Sequence, residues 1–140
     1  MMVRPMEPRD REEVRAMLAD LYGSPVEEPE KEGDILVAAE AGALAGCIAI
    51  AVRPWADGCE TAPVPYVEAW YVAPAFRRRG IGRALMRAAE HWARERGFTE
   101  LGSDALLDNA ASLAAHAALG FLPTQKVQFF RKIISREEER

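Results

Sequence analysis

Residues 66–96 constrain the fold of this chain more than any other stretch. An aromatic and β-branched run, Tyr66-Val67-Glu68-Ala69-Trp70-Tyr71-Val72, has the content of a strand. Ala73-Pro74-Ala75-Phe76-Arg77-Arg78-Arg79-Gly80-Ile81-Gly82 follows, and then a long amphipathic stretch. There Ile81, Leu85, Ala88, Ala89 and Trp92 share one face while Arg83, Arg87, Glu90 and Arg94 lie mostly off it, which predicts a helix over 80–96 closed by Gly97. The first amides of such a helix have no intrahelical acceptor, and its dipole adds partial positive charge. Glycines let a ligand approach the backbone, and the arginines add full charge. A phosphate or pyrophosphate is the natural guest.

The same residues admit other readings. One is an arginine-rich turn whose glycines serve geometry alone. A second is a dinucleotide site, with Glu100 about twenty residues beyond Gly80-Ile81-Gly82. Leu85 stands where that motif has its third glycine, which weakens it. A nucleotide P-loop lacks its Gly-Lys-Ser or Gly-Lys-Thr.

The flanking sequence sets the fold class. A short strand over 3–5 precedes a helix over 8–21, where Val14, Met17, Leu18 and Leu21 recur at helical spacing. The acidic segment 26–34 reads as a loop or at best an irregular helix, and the apolar runs 35–39 and 44–52 around Gly42 as a hairpin. Residues 54–65, with Asp57, Gly58 and two prolines, form an exposed connection. After the long helix come a strand over 100–104, a helix over 109–119 for which Asp108 is the expected N-cap, and one or two strands over 122–134. Residues 135–140 are a charged tail expected to fray. This order predicts an α/β (α+β) protein, with residues 1–140 forming a single domain.

Composition narrows the function. A net charge of −4 disfavours nucleic acid as a partner. No apolar run approaches the roughly 20 residues that span a bilayer, and the N-terminal residues lack a signal-peptide core, so no membrane partner and a cytoplasmic location are expected. Cys47 and Cys59 have no metal-ligand spacing with His91 and His116, so reduced thiols and no metal are expected. Acidic residues gather at Glu27, Glu28, Glu30, Glu32 and Asp34, and basic ones at Arg77, Arg78, Arg79, Arg83 and Arg87. Such a protein is suited to meet an anion at one place and a cation at another.

Glu68 carries the second local signal. Period-two alternation places it on one face with Tyr66, Trp70 and Val72. A carboxylate amid aromatic side chains needs a partner. Either it forms a structural ion pair with an arginine, or it orients a cationic amine and accepts its proton.

Arg77-x-x-Gly80-x-Gly82 resembles the (Gln/Arg)-x-x-Gly-x-(Gly/Ala) pyrophosphate loop of the GNAT acyl-CoA N-acyltransferase superfamily, and Asn109 with Ala118-Leu119-Gly120-Phe121 resembles its second diagnostic block. The runs 66–72, 103–109 (Ser-Asp-Ala-Leu-Leu-Asp-Asn) and Phe129-Phe130-Arg131-Lys132 are similar to bacterial aminoglycoside 6'-N-acetyltransferases, over residues 58–132. The segment 22–34 is shorter here than is usual in that subfamily.

The resemblance implies a mixed, mostly antiparallel sheet flanked by helices. It also implies an enzyme that moves acetyl from acetyl-CoA to a primary amine by direct attack in a ternary complex. Arg77, Arg78, Arg79, Gly80, Ile81, Gly82 and Arg83 would hold the pyrophosphate, with Asn109 and His116 also at the co-substrate. The pantetheine arm would pair with the backbone of Tyr71 and Val72. Glu68, Trp70 and Asp104 would bind a polycationic small-molecule acceptor, an aminoglycoside at its 6'-amine. Glu68 would take its proton, while His116 would protonate the leaving thiolate or serve packing alone. A homodimer through the C-terminal strands, with Val127, Phe129 and Phe130, is also implied. Another small amine, a peptide N-terminus or a non-catalytic acyl-CoA-binding module are the alternatives.

Overall fold

The computed structural model describes residues 1–134. Strand β1 (Met2–Pro5) leads through a 3-10 turn into helix α1 (Arg11–Tyr22). Strands β2 (Asp34–Glu40), β3 (Ala43–Arg53) and β4 (Val64–Val72) follow, then helices α2 (Ile81–Glu95) and α3 (Ala110–Ala118). The strands form one antiparallel sheet in chain order. Its first hairpin closes through Ala41 and Gly42, with φ of 51° and 81°, the left-handed pair that a two-residue hairpin turn requires.

The helices cover opposite faces. Val14, Met17 and Leu18 of α1 pack on Val37, Cys47, Ala49 and Tyr71, while Ile81, Leu85, Met86 and Ala89 of α2 pack on Ile48, Ile50 and Val67. Each Val, Leu, Ile or Met side chain among them contributes roughly 1.5–3 kcal/mol by leaving water. Arg4 pairs with the buried Asp10 at 2.6 Å and so ties β1 to the entrance of α1.

Three expectations change. The segment 100–104 reduces to a single parallel bridge between Tyr66 and Gly102, with Val67 N–H donating to Gly102 O at 2.8 Å and Gly102 N–H to Pro65 O at 2.9 Å. A Cβ at Gly102 would lie 2.6 Å from the Tyr66 ring, so only glycine allows this approach. The segment 122–134 forms no strand among the described residues, and Leu122, Phe129, Phe130, Ile133 and Ile134 are all more than 70% exposed. Strand propensity there meets no neighbouring backbone to pair with. The cap of α3 is Asn109, not Asp108: its side chain accepts from Ser112 N–H at 3.1 Å. The tail expected over 135–140 lies outside the described residues.

Candidate active site

A cleft of ≈ 870 Å³ opens where β4 and the segment after Gly102 diverge. β4 is the outer strand, and past Val67 no described segment pairs with its free edge. A smaller hollow of ≈ 380 Å³, near Trp92 and Arg96, lies away from the Arg/Gly loop.

A bulge shapes the β4 edge. Ala49 pairs with Ala69 and Ile50 with Val67, which leaves Glu68 as the extra residue. The expected alternation therefore breaks. Ala69 and Tyr71 pack on the α1 side, whereas Val67, Trp70 and Val72 all pack on the α2 side. Glu68 is the residue at which the alternation breaks.

The loop ahead of α2 has the predicted anion-site form. Arg78 and Gly80 take left-handed φ of 64° and 79°, and α2 begins with no side-chain cap and no acidic residue in its first turn. The amides of Ile81, Gly82 and Arg83 thus open onto the cleft without an acceptor, since the first bond here runs from Ala84 N–H to Gly80 O at 3.0 Å. Arg77, Arg78 and Arg83 line the same mouth. Arg77 Nε donates to Val72 O at 2.9 Å, which fixes the exit from β4. Arg79 is not part of the lining and lies 5.5 Å over the Phe76 ring. Uncapped amides, a left-handed glycine and clustered guanidinium groups fit a pyrophosphate-bearing ligand, and the open β4 edge fits an arm that adds as a strand.

Trp70 supports this wall: its Nε1 donates to Gly82 O at 3.0 Å, and its ring meets His116 edge-on at 5.2 Å. Tyr71 reaches α1 instead, where its hydroxyl donates to Asp20. Asn109 borders the cleft with its carbonyl oxygen engaged in capping α3.

The two predicted carboxylates, Glu68 and Asp104, both line the cleft, and each is backed by a donor. Arg53 grips Glu68 with two bonds, Nε to Oε2 at 2.7 Å and Nη2 to Oε1 at 2.6 Å. Its guanidinium lies 3.6 Å over the Tyr66 ring, and the Tyr66 hydroxyl donates to Asp104 at 2.7 Å. The Glu68 bond raises the Arg53 pKa above its ordinary value. Burial, with the bond to Asp104 next, pushes the Tyr66 hydroxyl well up, so it remains a donor. Tyr22 donates to Glu68 O at 3.3 Å, and its hydroxyl is raised to about 12 by burial first and the Glu32 charge second. Two carboxylates held in place beside an anion loop can present a cation to an activated acyl group.

His116 lines the same cleft. Its Nδ1 lies 2.7 Å from Ser112 O and its Nε2 2.8 Å from Ser103 Oγ. Trp70 and Phe121 hold the ring edge-on from two sides.

Sequence reading missed Arg53, Tyr66 as a donor, Ser103 and Ser112. Arg53 ends β3 opposite Val64, so its access to Glu68 depends on pairing register and the bulge. Ser103 did carry a signal, as the neighbour of Asp104. Glu100 serves neither strand nor ribose: it accepts from the amides of Glu60 at 3.0 Å and Thr61 at 2.8 Å and fastens the 54–63 connection. Trp55 and His91 stay exposed outside the cleft, His91 paired with Glu95. Cys47 and Cys59 are free thiols, and burial raises Cys47 to about 12. Among the described residues no three His, Cys, Asp or Glu side chains group as a metal would require, and no helix is long and apolar enough to cross a membrane.

A bulged outer strand diverging from its neighbour, with an arginine/glycine anion loop leading into a helix, defines an acyl-CoA N-acyltransferase fold. The match of residues 3–121 to the acetyltransferase (GNAT) family confirms it, and the chain belongs to that family. An aminoglycoside N(6')-acetyltransferase type 1 of Klebsiella aerogenes is 46% identical over 70% of this chain and 64% of its own length. Its counterpart from Acinetobacter haemolyticus is 49% identical over 57% of this chain and 55% of its own. The chain thus spans somewhat over half the length of these curated relatives. Among solved structures, AAC(6')-Iy in complex with the bisubstrate analogue CoA-S-monomethyl-acetylneamine superposes with a TM-score of 0.85. It is 28% identical, covering 95% of this chain and 98% of that one.

Proposed function

We propose that this chain is an acetyl-CoA-dependent N-acetyltransferase that acts on the 6'-amine of an aminoglycoside, by direct attack in a ternary complex. The observation that carries the reading is the joining, in one cleft, of the uncapped loop at Gly80–Gly82 and the backed carboxylates Glu68 and Asp104. The relatives named for 6'-acetylation, and a neighbour holding a CoA–aminoglycoside conjugate, support the acceptor class.

The co-substrate supplies a thioester-activated acetyl group. The amides of Ile81, Gly82 and Arg83, with Arg77, Arg78 and Arg83, hold its pyrophosphate by charge and donated hydrogen bonds. The β4 edge at Tyr71 and Val72 aligns its arm. Glu68 and Asp104 hold the ammonium groups of the acceptor, and the Arg53 and Tyr66 donors fix both carboxylates in place, so that a small reorganisation suffices for attack. Glu68 retains unshared lone pairs beyond its two bonds to Arg53 and takes the proton of the attacking amine, directly or through water. His116 supplies the proton that reaches the departing sulfur.

We read the protein as a single cytoplasmic domain. We also read it as a homodimer in which the segment 122–134 pairs with a second copy: Leu106, Leu122, Phe129, Phe130, Ile133 and Ile134 are all three-quarters exposed or nearly so, and no α3 residue is buried. Sedimentation equilibrium tests this, with a monomer at micromolar concentration as the contrary result.

Thiol release from acetyl-CoA, followed against kanamycin, spermidine and a short peptide, tests the acceptor class. Turnover with kanamycin is expected. Turnover confined to spermidine or to the peptide would replace it, and binding of acetyl-CoA with no turnover on any amine would leave a non-catalytic module. Glu68→Ala should lower turnover with little change in acetyl-CoA affinity; weakened affinity with intact turnover at saturation would remove Glu68 from the acceptor side.

A further inference from the structure

We propose that Ser103 is a proton-relay residue, acting with His116 as a pair whose tautomer is set by the backbone. A carbonyl oxygen can only accept a hydrogen bond, so the 2.7 Å contact of His116 Nδ1 with Ser112 O places the proton of the neutral ring on Nδ1. Nε2 is then an acceptor, and the Ser103 hydroxyl at 2.8 Å donates to it. The edge-on contacts of Trp70 and Phe121, at 5.2 and 5.1 Å, fix the ring plane and with it this direction of donation. A neutral imidazole held this way offers no N–H toward the cleft from Nε2. Ser103 lines the cleft beside Asp104, as His116 does, and its hydroxyl is the group with a proton to give at this point.

The proton count then assigns its task. As the amine becomes an amide, an N–C bond forms, the C–S bond breaks, one proton leaves nitrogen and one arrives on sulfur. Ser103 Oγ accepts a proton from the amine side, either handed on from Glu68 or directly, as its own proton passes to His116 Nε2. The imidazolium, with both nitrogens now donors, returns a proton through Oγ to sulfur. Nothing is oxidised or reduced, and His116 ends with the protons it began with. Ser112 O stabilises the charged ring throughout, without itself titrating.

This rests on the acetyl-transfer reading but not on the identity of the amine, and one of its two tests needs no acceptor. Long-range ¹H–¹⁵N correlation on labelled protein, with His91→Gln to assign the two histidines, reads the His116 tautomer directly. The Nδ1–H form is expected, and the Nε2–H form would overturn the relay. In kinetics, Ser103→Val should lower kcat by about tenfold or more, part of the range general acid–base groups supply, while Ser103→Thr, which keeps the hydroxyl, should recover most of it. Acetyl-CoA affinity should not move in either variant. The proton inventory in mixed H₂O/D₂O should lose its two-proton curvature in Ser103→Val. Full turnover by Ser103→Val would refute the relay and leave acetyl transfer standing. A wild type inert toward every amine would refute both.

Discussion

Gly80→Ala should weaken acetyl-CoA binding with little loss of stability in the free protein, and Gly23→Ala should do the reverse. Both glycines hold left-handed backbone, with φ of 79° and 73°, and a Cβ at either would meet nothing within 4 Å. Sterics between side chains therefore drop out, and the cost is the backbone term alone, about 1–2 kcal/mol for an L-residue in this region. What differs is who bears it. Gly23 closes α1, with its N–H bonded to Ala19 O at 2.9 Å, so its conformation is part of the fold. Residues 77–80 are exposed, and nothing packs on Gly80, so in the free protein an alanine there relaxes toward ordinary φ. Binding must then restore the left-handed turn that aims the α2 amides, which converts the same 1–2 kcal/mol into a Kd rise of about 5- to 30-fold. Isothermal titration gives the Kd and urea denaturation the stability of each variant. Unchanged affinity in Gly80→Ala, with the stability loss seen in Gly23→Ala, would mean that the loop is rigid beforehand and would refute the reasoning.

Other outcomes follow from the same geometry. Tyr66→Phe keeps the ring beneath Arg53 and removes only the bond to Asp104, an exposed carboxylate. One such bond is worth about 1 kcal/mol, so acceptor KM should rise about fivefold at constant acetyl-CoA Kd; a change in the Kd alone would contradict the placement of Asp104. The Glu100 carboxyl is held below its ordinary value of 4.5, by the Thr61 hydroxyl first and the Glu60 and Thr61 amides next. Its folded pKa being depressed, its stabilisation of the 54–63 connection is complete above 4.5 and lost as pH falls through the lowered value. Hydrogen exchange at Glu60 and Thr61 should therefore accelerate in acid relative to neighbouring amides, and pH-independent protection would show that Glu100 does not hold the loop.

How far the sequence reaches can be judged from particular residues. Gly80 and Gly82 revealed the loop because glycine beside arginine and ahead of an amphipathic helix has few other uses. Val14, Met17 and Leu18 revealed α1 because burial imposes a period, and the hairpin at Gly42 followed from a turn needing positive φ. The break in alternation at Glu68 was missed because a bulge carries no compositional mark: it depends on how β3 and β4 register, which only tertiary pairing decides. The same non-local pairing hid Arg53, fifteen residues from the carboxylate it grips. The segment 122–134 shows the opposite failure, strand-forming composition with no partner backbone among the described residues. Ser103 was quoted only as part of a resemblance, since its role appears once His116 and the carbonyl of Ser112 are brought beside it.

The most direct measurement compares two aminoglycosides that differ only at the 6' position, one bearing an amine and the other a hydroxyl, as acceptors for purified protein with acetyl-CoA, following thiol release. The account predicts turnover with the 6'-amino compound and none with the 6'-hydroxyl compound. Equal turnover on the two would place acetylation at another amine, and no turnover on either, with acetyl-CoA still bound, would contradict the assignment of Glu68 and Asp104 to an aminoglycoside.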